Sequence, residues 1–454
     1  MMRRLFLALA TALLLLSACG ANKDATDTPF PGRYQPLTGE ATIIAGATLL
    51  TGTGERLENA DLLMSDGKII AIGKGLSRDG VVVVDAAGKW LTPGIIDLHS
   101  HLGVYASPYT ASHSDGNEST APVTAEVWAE HSVWPHDPGF VTALAGGVTT
   151  LQILPGSANL IGGRGVTLKN VPGRDVQSMK FPGAPHGLKM ACGENPKRVY
   201  GRQGVAPSTR MGNVAGYRSA WIAAADYRDK LAAAAKGQGE APLRDLKLET
   251  LAGVLDGEIL VHNHCYRGDE MSVMLDLADE FGYTIASFHH AVEAYKVADL
   301  LAESDTCAAM WADWWGFKME AYDGIRENAA LVDRAGACAI IHSDDSIGIQ
   351  RLPQETAKVI GAAARAGINI LPQQAIRWIT SNPAKALGVD EYVGTLEEGK
   401  MADVVLWNGD PFSVYTRAER VYIDGALLYD RENPAMNPLT DFSLGTGVMP
   451  GGAE

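Results

Sequence analysis

Cysteine is scarce in this 454-residue chain: five residues, at spacings that match no paired framework, which argues against a disulfide-stapled scaffold. Aromatic residues supply only 7%. Basic residues are outnumbered 38 to 53, for a formal net charge of −15, so a nucleic-acid backbone is excluded as the expected partner. No apolar run is long enough to cross a bilayer: the run Leu5 to Leu16 reaches roughly 18 Å as a helix, against a hydrocarbon core of about 30 Å. No internal repeat is visible, and no G-x-G-x-x-G follows a first strand. What is present is the balance of an ordinary globule, 46% hydrophobic and 20% charged, which excludes disordered, collagen-like and coiled-coil designs. Fifty glycines and 22 prolines imply many tight strand–loop–helix junctions, and the length suits one large α/β domain with an accessory.

The first residues read as an address. Arg3 and Arg4 precede the short apolar run, the order of a secretory signal, and the run ends in Leu16-Ser17-Ala18-Cys19. That ending resembles the lipobox of bacterial lipoproteins, which implies cleavage after residue 18 and lipidation of Cys19. Gly20 in place of an aspartate implies sorting to the outer membrane, on its periplasmic face. Residues 19–38 would then be a lipid-anchored linker, polar and proline-containing. Cys192, Cys265, Cys307 and Cys338 would sit in an oxidising compartment. Nothing in their spacing pairs them, so they are expected as buried thiols.

Texture divides the rest. Segments 39–93 and 389–435 carry short β-rich runs, including a hairpin around Asp66-Gly67, and are expected to join as one small β-sandwich. Between them, over 94–388, apolar runs ending in polar or glycine residues alternate with helix-like stretches, as in GEILVHNH before DEMSVMLDLADEFG. That alternation predicts an α/β fold, a parallel (β/α)₈ TIM-type barrel. Residues 436–454 read as an irregular tail.

Histidine marks the strand ends. In GIIDLHSHLG, His99 and His101 are two apart and share a face of an extended strand, so both can converge on one point. EILVHNHCY adds His262 and His264, ASFHHAV adds His289 and His290, and AIIHSDD adds His342, Asp344 and Asp345. Imidazole and carboxylate at four strand ends suit Zn²⁺ or a similar divalent ion.

TPGIIDLHSHLG, these later strand-end histidines and the closing TSNPAKALGVDEYVGTLEEGKMADVVLWNGDP together resemble the amidohydrolase superfamily, nearest its imidazolonepropionase- and prolidase-like branch, over about residues 40–430. The resemblance implies a divalent metal, most simply zinc, as one or two ions. Its ligands carry over to His99, His101, His264, His290 and Asp344, with His262 as the fallback for His264. His289 is expected to face away, His342 to lie in the core or behind the ligands, and Asp345 to contact substrate or stand behind the ligands. At the fourth strand the family's bridging carboxylated lysine corresponds to Lys189, with Glu194 the alternative bridge.

Other polar features are less specific. GSANLIGGRGVTLKN (156–170), with Asn159, reads as a substrate-facing glycine-rich loop or as simple turn chemistry. MWADWWGFKMEAYDG (310–324) reads as aromatic core at the seventh strand, or as an aromatic wall with Asp313 or Lys318 meeting a charged substrate end. Tyr266 and Arg267, just past His264, are expected substrate contacts, while His113, His131, His136 and His186 are expected to be structural. The resemblance implies hydrolysis of a C–N bond in an amide, cyclic amide or small peptide, with Asp344 as the catalytic proton carrier. The rivals are deamination of a heterocycle on the same site and a non-catalytic metal- or solute-binding lipoprotein. Partners reduce to a small-molecule or peptide substrate and the membrane through a lipid anchor only, with a homo-oligomer compatible with the sequence.

Overall fold

The computed structural model describes residues 29–437. The lipidation position Cys19, the leader 1–18, the start of the linker and nearly all of the tail lie outside the described residues. No helix among the described residues is long and apolar enough to cross a membrane.

The chain opens with β1 (Thr42–Leu50), β2 (Arg56–Ser65), β3 (Lys68–Gly73), β4 (Val82–Asp85) and β5 (Trp90–Pro93). At the β2–β3 hairpin, Asp66 and Gly67 both take positive φ (50° and 77°), the turn whose twist matches that of paired strands. Eight barrel strands follow: β6 (Ile95–Ser100), β7 (Val148–Ile153), β8 (Ile161–Lys169), β9 (His186–Ala191), β10 (Ile259–Cys265), β11 (Ile285–His290), β12 (Cys307–Met310) and β13 (Ala339–Ile341). The chain then returns through β14 (Val404–Trp407), β15 (Ala418–Ile423) and β16 (Ala426–Asp430).

β14 pairs with β5 and carries β15 and β16 beyond it, so both ends of the chain build one continuous eight-stranded sheet, where two stacked sheets were expected. Its apolar side holds Ile44, Leu62, Met64, Leu91, Val404 and Tyr422 in a core of its own. The barrel strands lie side by side in chain order. Helices cover them: α1 (Pro138–Ala145) before β7; α2 (Glu194–Arg202), α3 (Arg210–Ala235) and α4 (Leu246–Leu255) before β10; α5 (Gly268–Phe281) before β11. β6 and β7 are buried along their whole length, as strands covered on both faces must be.

The barrel is not wholly parallel. β8 pairs antiparallel with both β7 and β9. The segment 156–170, read as a loop, is therefore mostly a strand. The link from Ile153 to Ile161 is too short for a crossover helix, so the chain can only fold back on itself. Gly163 (φ 108°) serves close approach, since a Cβ there would lie 2.3 Å from the Val127 carbonyl oxygen. At the seam, the Asp344 amide donates to the His99 carbonyl at 3.0 Å and the Ser343 amide to the Asp97 carboxylate at 3.1 Å, joining the end of β13 to β6.

The four cysteines among the described residues are not free thiols. Cys192 bonds Cys265, with Cα atoms 5.2 Å apart, and Cys307 bonds Cys338 at 4.4 Å. Separations of 73 and 31 residues concealed what parallel pairing brings together, the rims of neighbouring strands.

The barrel is locked to the flanking sheet by a buried charge cluster. Lys169, at the end of β8, donates to both oxygens of Asp403 (2.9 and 3.0 Å) and to Asp424 (3.0 Å), and Tyr34 also donates to Asp424. All three charged groups are buried. Removing the cation alone leaves two carboxylates facing each other away from water, so Lys169→Met is expected to cost about 3–5 kcal/mol of stability. Denaturant unfolding checks this, and Asp403→Asn with Asp424→Asn in the same chain should return much of the loss.

Candidate metal centre

Both histidines of the first barrel strand reach the mouth. His99 is fully buried, and its Nε2 lies 3.2 Å from Nε2 of His101. His101 has its Nδ1 2.8 Å from the Leu154 carbonyl. A carbonyl only accepts, so that nitrogen carries the proton and Nε2 presents a lone pair. Asp344 completes the corner. It follows β13 with φ 56°, which turns its carboxylate back so that Oδ1 lies 3.2 Å from His99 Nε2 and 3.1 Å from His101 Nε2. Its Oδ2 is 3.8 Å from Nδ1 of His290.

His264 and His290 stand edge to face, ring centres 4.6 Å apart. Both ring nitrogens of His264, Nδ1 of His290 and Nδ1 of His342 are buried without a hydrogen-bond partner. Buried polar atoms are rarely left so. Two overlapping groups, His99–His101–Asp344 and His99–His290–His342, each bring three potential ligand atoms within 4.8 Å of one another. A knot of lone pairs and carboxylate oxygens around unpartnered imidazoles is the donor set a divalent cation satisfies. The residues present fit such an ion.

Two neighbours differ from expectation. His289 points into the barrel, its Nδ1 2.9 Å from His99 Nδ1. The reason is local: β11 ends at His290, whose φ of 70° breaks the alternation, so consecutive residues both face inward at different depths. His262 lies beneath, with one nitrogen 3.1 Å from the Gln152 amide and the other 2.9 Å from His289, so neither is free to serve as the fallback ligand. His342 lies against the backbone of His290, its Nε2 accepting from the His290 amide at 3.1 Å.

On β9, Lys189 is fully buried, and its Nζ donates to the Pro155 carbonyl at 2.9 Å. Burial pulls its pKa down to about 7, although the Asp344 charge opposes this. Glu194, the alternative bridge, heads α2 and lies 3.5 Å from Lys318. Asp97 was not singled out from the sequence. It accepts from Ser343 and from the His99 amide at 3.3 Å, and burial raises its pKa to about 7.

A cavity of about 400 Å³ opens above His101, His264, His290 and Asp344, walled by Tyr105, Asn117, Tyr266, Arg198, Phe317 and Lys318. The Tyr266 ring stacks on His290, and Lys318 Nζ sits 3.7 Å from its centre. Of the aromatic segment, Phe317 lines this cavity, while Trp311, Trp314 and Trp315 border an adjacent hollow. Trp311 alone is buried, stacked on His290 at 4.3 Å and donating to the Ser343 carbonyl, while Trp314, Trp315 and Phe317 are exposed by 39–58%. Asp313 turns aside to Lys358 at 3.1 Å.

Three expected substrate contacts lie elsewhere. Asn159 is buried and donates to the carbonyls of Glu118 and Ala121, clamping that loop. Arg267 forks onto exposed Asp269 at 2.9 and 2.7 Å and lines a neighbouring charged hollow. Asp345 accepts from the Gly348 amide and caps the next turn. In each case a nearby backbone or charged group claims the side chain. Tyr105, Asn117 and Arg198 carry no spacing signal and were missed.

Residues 244–441 match the family model described as amidohydrolase family. The solved structure of an amidohydrolase from Thermotoga maritima MSB8 aligns with a TM-score of 0.80 at 35% identity, over 86% of this chain and 100% of that one. Amidohydrolase tasK of Hapsidospora irregularis is 31% identical over 92% of this chain but 46% of its own length, so the chain spans about half of that relative. An imidazolonepropionase of Caldanaerobacter subterraneus subsp. tengcongensis is 24% identical over 78% of this chain and 84% of the relative. With a third of its positions shared along the whole of the Thermotoga maritima protein, and with imidazoles and a carboxylate gathered at its barrel mouth, the chain belongs to the amidohydrolase family.

Proposed function

We propose that this chain hydrolyses a C–N bond in an amide, a cyclic amide or a small peptide, using a divalent metal held at the barrel mouth. One observation carries the reading: His101, whose tautomer its Leu154 bond dictates, aims a lone pair at Asp344 and His99, beside buried imidazole nitrogens that nothing else partners. His99, His101, His264, His290 and Asp344 are the ligands, and imidazole with carboxylate favours zinc. When bound, the ion supplies Lewis acidity, lowering the pKa of water and polarising a carbonyl.

The chain's own groups do the rest. Burial pushes the Asp344 carboxyl up, but His290, His101 and His342 outweigh it and hold the group below the usual carboxylate range. It is therefore ionised at neutral pH, the form that can accept a proton from attacking water and pass it to the leaving nitrogen. Lys189, whose burial brings deprotonation down to about neutral pH, is the better candidate for carboxylation and for bridging a second ion, since Glu194 is engaged by Lys318. Lys318 and Arg198 both line the cavity and suit a substrate that carries a carboxylate. Phe317, backed by the Trp311 ring, offers its apolar part a wall.

For location, we propose an exported, lipid-anchored protein attached through Cys19, which the disulfides Cys192–Cys265 and Cys307–Cys338 support, since such bonds persist in oxidising compartments. Its partners are then a small-molecule or peptide substrate and, through the anchor, a membrane.

Three measurements test this. A panel of dipeptides, N-acyl amino acids and lactams, assayed for amide cleavage and for free ammonia, separates hydrolysis from deamination, and no turnover of any member would overturn the reading. Asp344→Asn is expected to lower kcat by about 10²–10⁴-fold while most of the metal stays bound. Reconstitution of chelator-stripped protein is expected to take up more metal with bicarbonate present, and Lys189→Met should bind fewer ions and show no bicarbonate effect.

A further inference from the structure

Beneath the proposed ligands runs a column of buried polar side chains that the proposed chemistry does not use. His99 Nδ1 meets His289 Nδ1 at 2.9 Å, His289 Nε2 meets His262 Nδ1 at 2.9 Å, and His262 Nε2 meets Gln152 Nε2 at 3.1 Å. All four are essentially without solvent contact, and Oε1 of Gln152 has no partner. A neutral imidazole has one donor and one acceptor. Three of them in series therefore point their donors all one way, and the column has two arrangements.

In the first, the Gln152 amide N–H donates to His262, His262 Nδ1–H to His289, and His289 Nδ1–H to His99. His99 then carries its proton on Nε2, where it faces Asp344 Oδ1 at 3.2 Å. A protonated Nε2 cannot hold an ion. In the second, His99 Nδ1–H donates to His289, His289 Nε2–H to His262, and His262 Nε2–H to Gln152. That last bond needs an acceptor, which Gln152 provides once its amide makes a half-turn and its idle Oε1 comes into use. Three protons sit on the three rings in both arrangements, so the exchange moves protons along the column and leaves every net charge unchanged. Only the second presents the His99 Nε2 lone pair.

We propose that Gln152, His262 and His289 are positioning residues whose hydrogen-bond direction sets the tautomer of His99, so that divalent-metal binding at the barrel mouth reverses the column down to Gln152. This rests on the metal-site reading above. Outer partners of metal-bound histidine fix the ring's tautomer and orientation in general. Here the partner is itself an imidazole, able to donate or accept, and so does not choose by itself. The choice is passed inward to the one residue with both an acceptor and a donor that can be turned.

The test uses the full chain with ¹⁵N-labelled histidine, stripped with chelator and then titrated with Zn²⁺. His262 and His289 are expected to change from Nδ1–H to Nε2–H as zinc binds, although neither touches the ion. His289→Phe, which leaves the His99 Nδ1 proton without an acceptor, is expected to weaken zinc binding about 10–100-fold in chelator competition. His289→Gln keeps an acceptor there and should recover most of that loss. If zinc binds the unaltered chain while both tautomers stay as they were, the column proposal fails and the metal site stands. If zinc does not bind the unaltered chain, the metal site fails and takes the column with it. Because the tautomer readout needs no variant, misfolding of His289→Phe would not shield the proposal.

Discussion

The convergence of imidazole nitrogens and one carboxylate at the barrel mouth is the constraint around which this molecule is arranged. His101 is committed by the Leu154 carbonyl to present a bare nitrogen, and Asp344 places a carboxylate oxygen 3.1 Å from it. Such groups repel unless a proton or a cation lies among them, and the repulsion is strong where water is scarce. The barrel holds them together regardless, because each stands at the end of a different strand and each strand is held by its neighbours. Asp344 is doubly fixed, by a positive φ and by its amide bond to His99 across the seam. The fold thus prepares a group of side chains able to hold a divalent ion.

Rigidity around that centre is supplied from several directions. The Cys192–Cys265 bond joins the rims of β9 and β10, the strands that carry Lys189 and His264. Asp97 and Ser343 join β6 to the residue just ahead of Asp344. Further out, Lys169 ties the antiparallel strand β8 to Asp403 and Asp424, which flank strands of the outer sheet. Below the mouth, the imidazole column occupies barrel interior that aliphatic side chains could have filled. Uncharged, hydrogen-bonded groups can be buried there at modest cost, whereas isolated charges could not.

The sequence showed the site better than its surroundings. His99, His101, His264, His290 and Asp344 were legible because a polar residue at the end of an apolar strand has few structural reasons to be there, and all five meet at the mouth. His289 was misread because alternation assumes a regular strand, and β11 stops being regular at His290. Asn159, Arg267 and Asp345 were misassigned for a common reason: polar side chains near a cleft are often claimed by local carbonyls, amides or charges, and proximity in sequence does not reveal such claims. The aromatic run after β12 was ambiguous, and only packing separates Trp311, stacked on His290, from its exposed neighbours.

Sequence alone determined the alternation of strands and helices, the return of β texture at both ends and the kind of chemistry at the strand tips, because periodicity and residue type are local properties. Only the tertiary structure decided the direction of β8, the two disulfides, the Lys169 cluster and the column beneath His99. Each of these depends on which distant segments become neighbours. Strand register and barrel closure settle that, and neither is written in any single stretch of the chain.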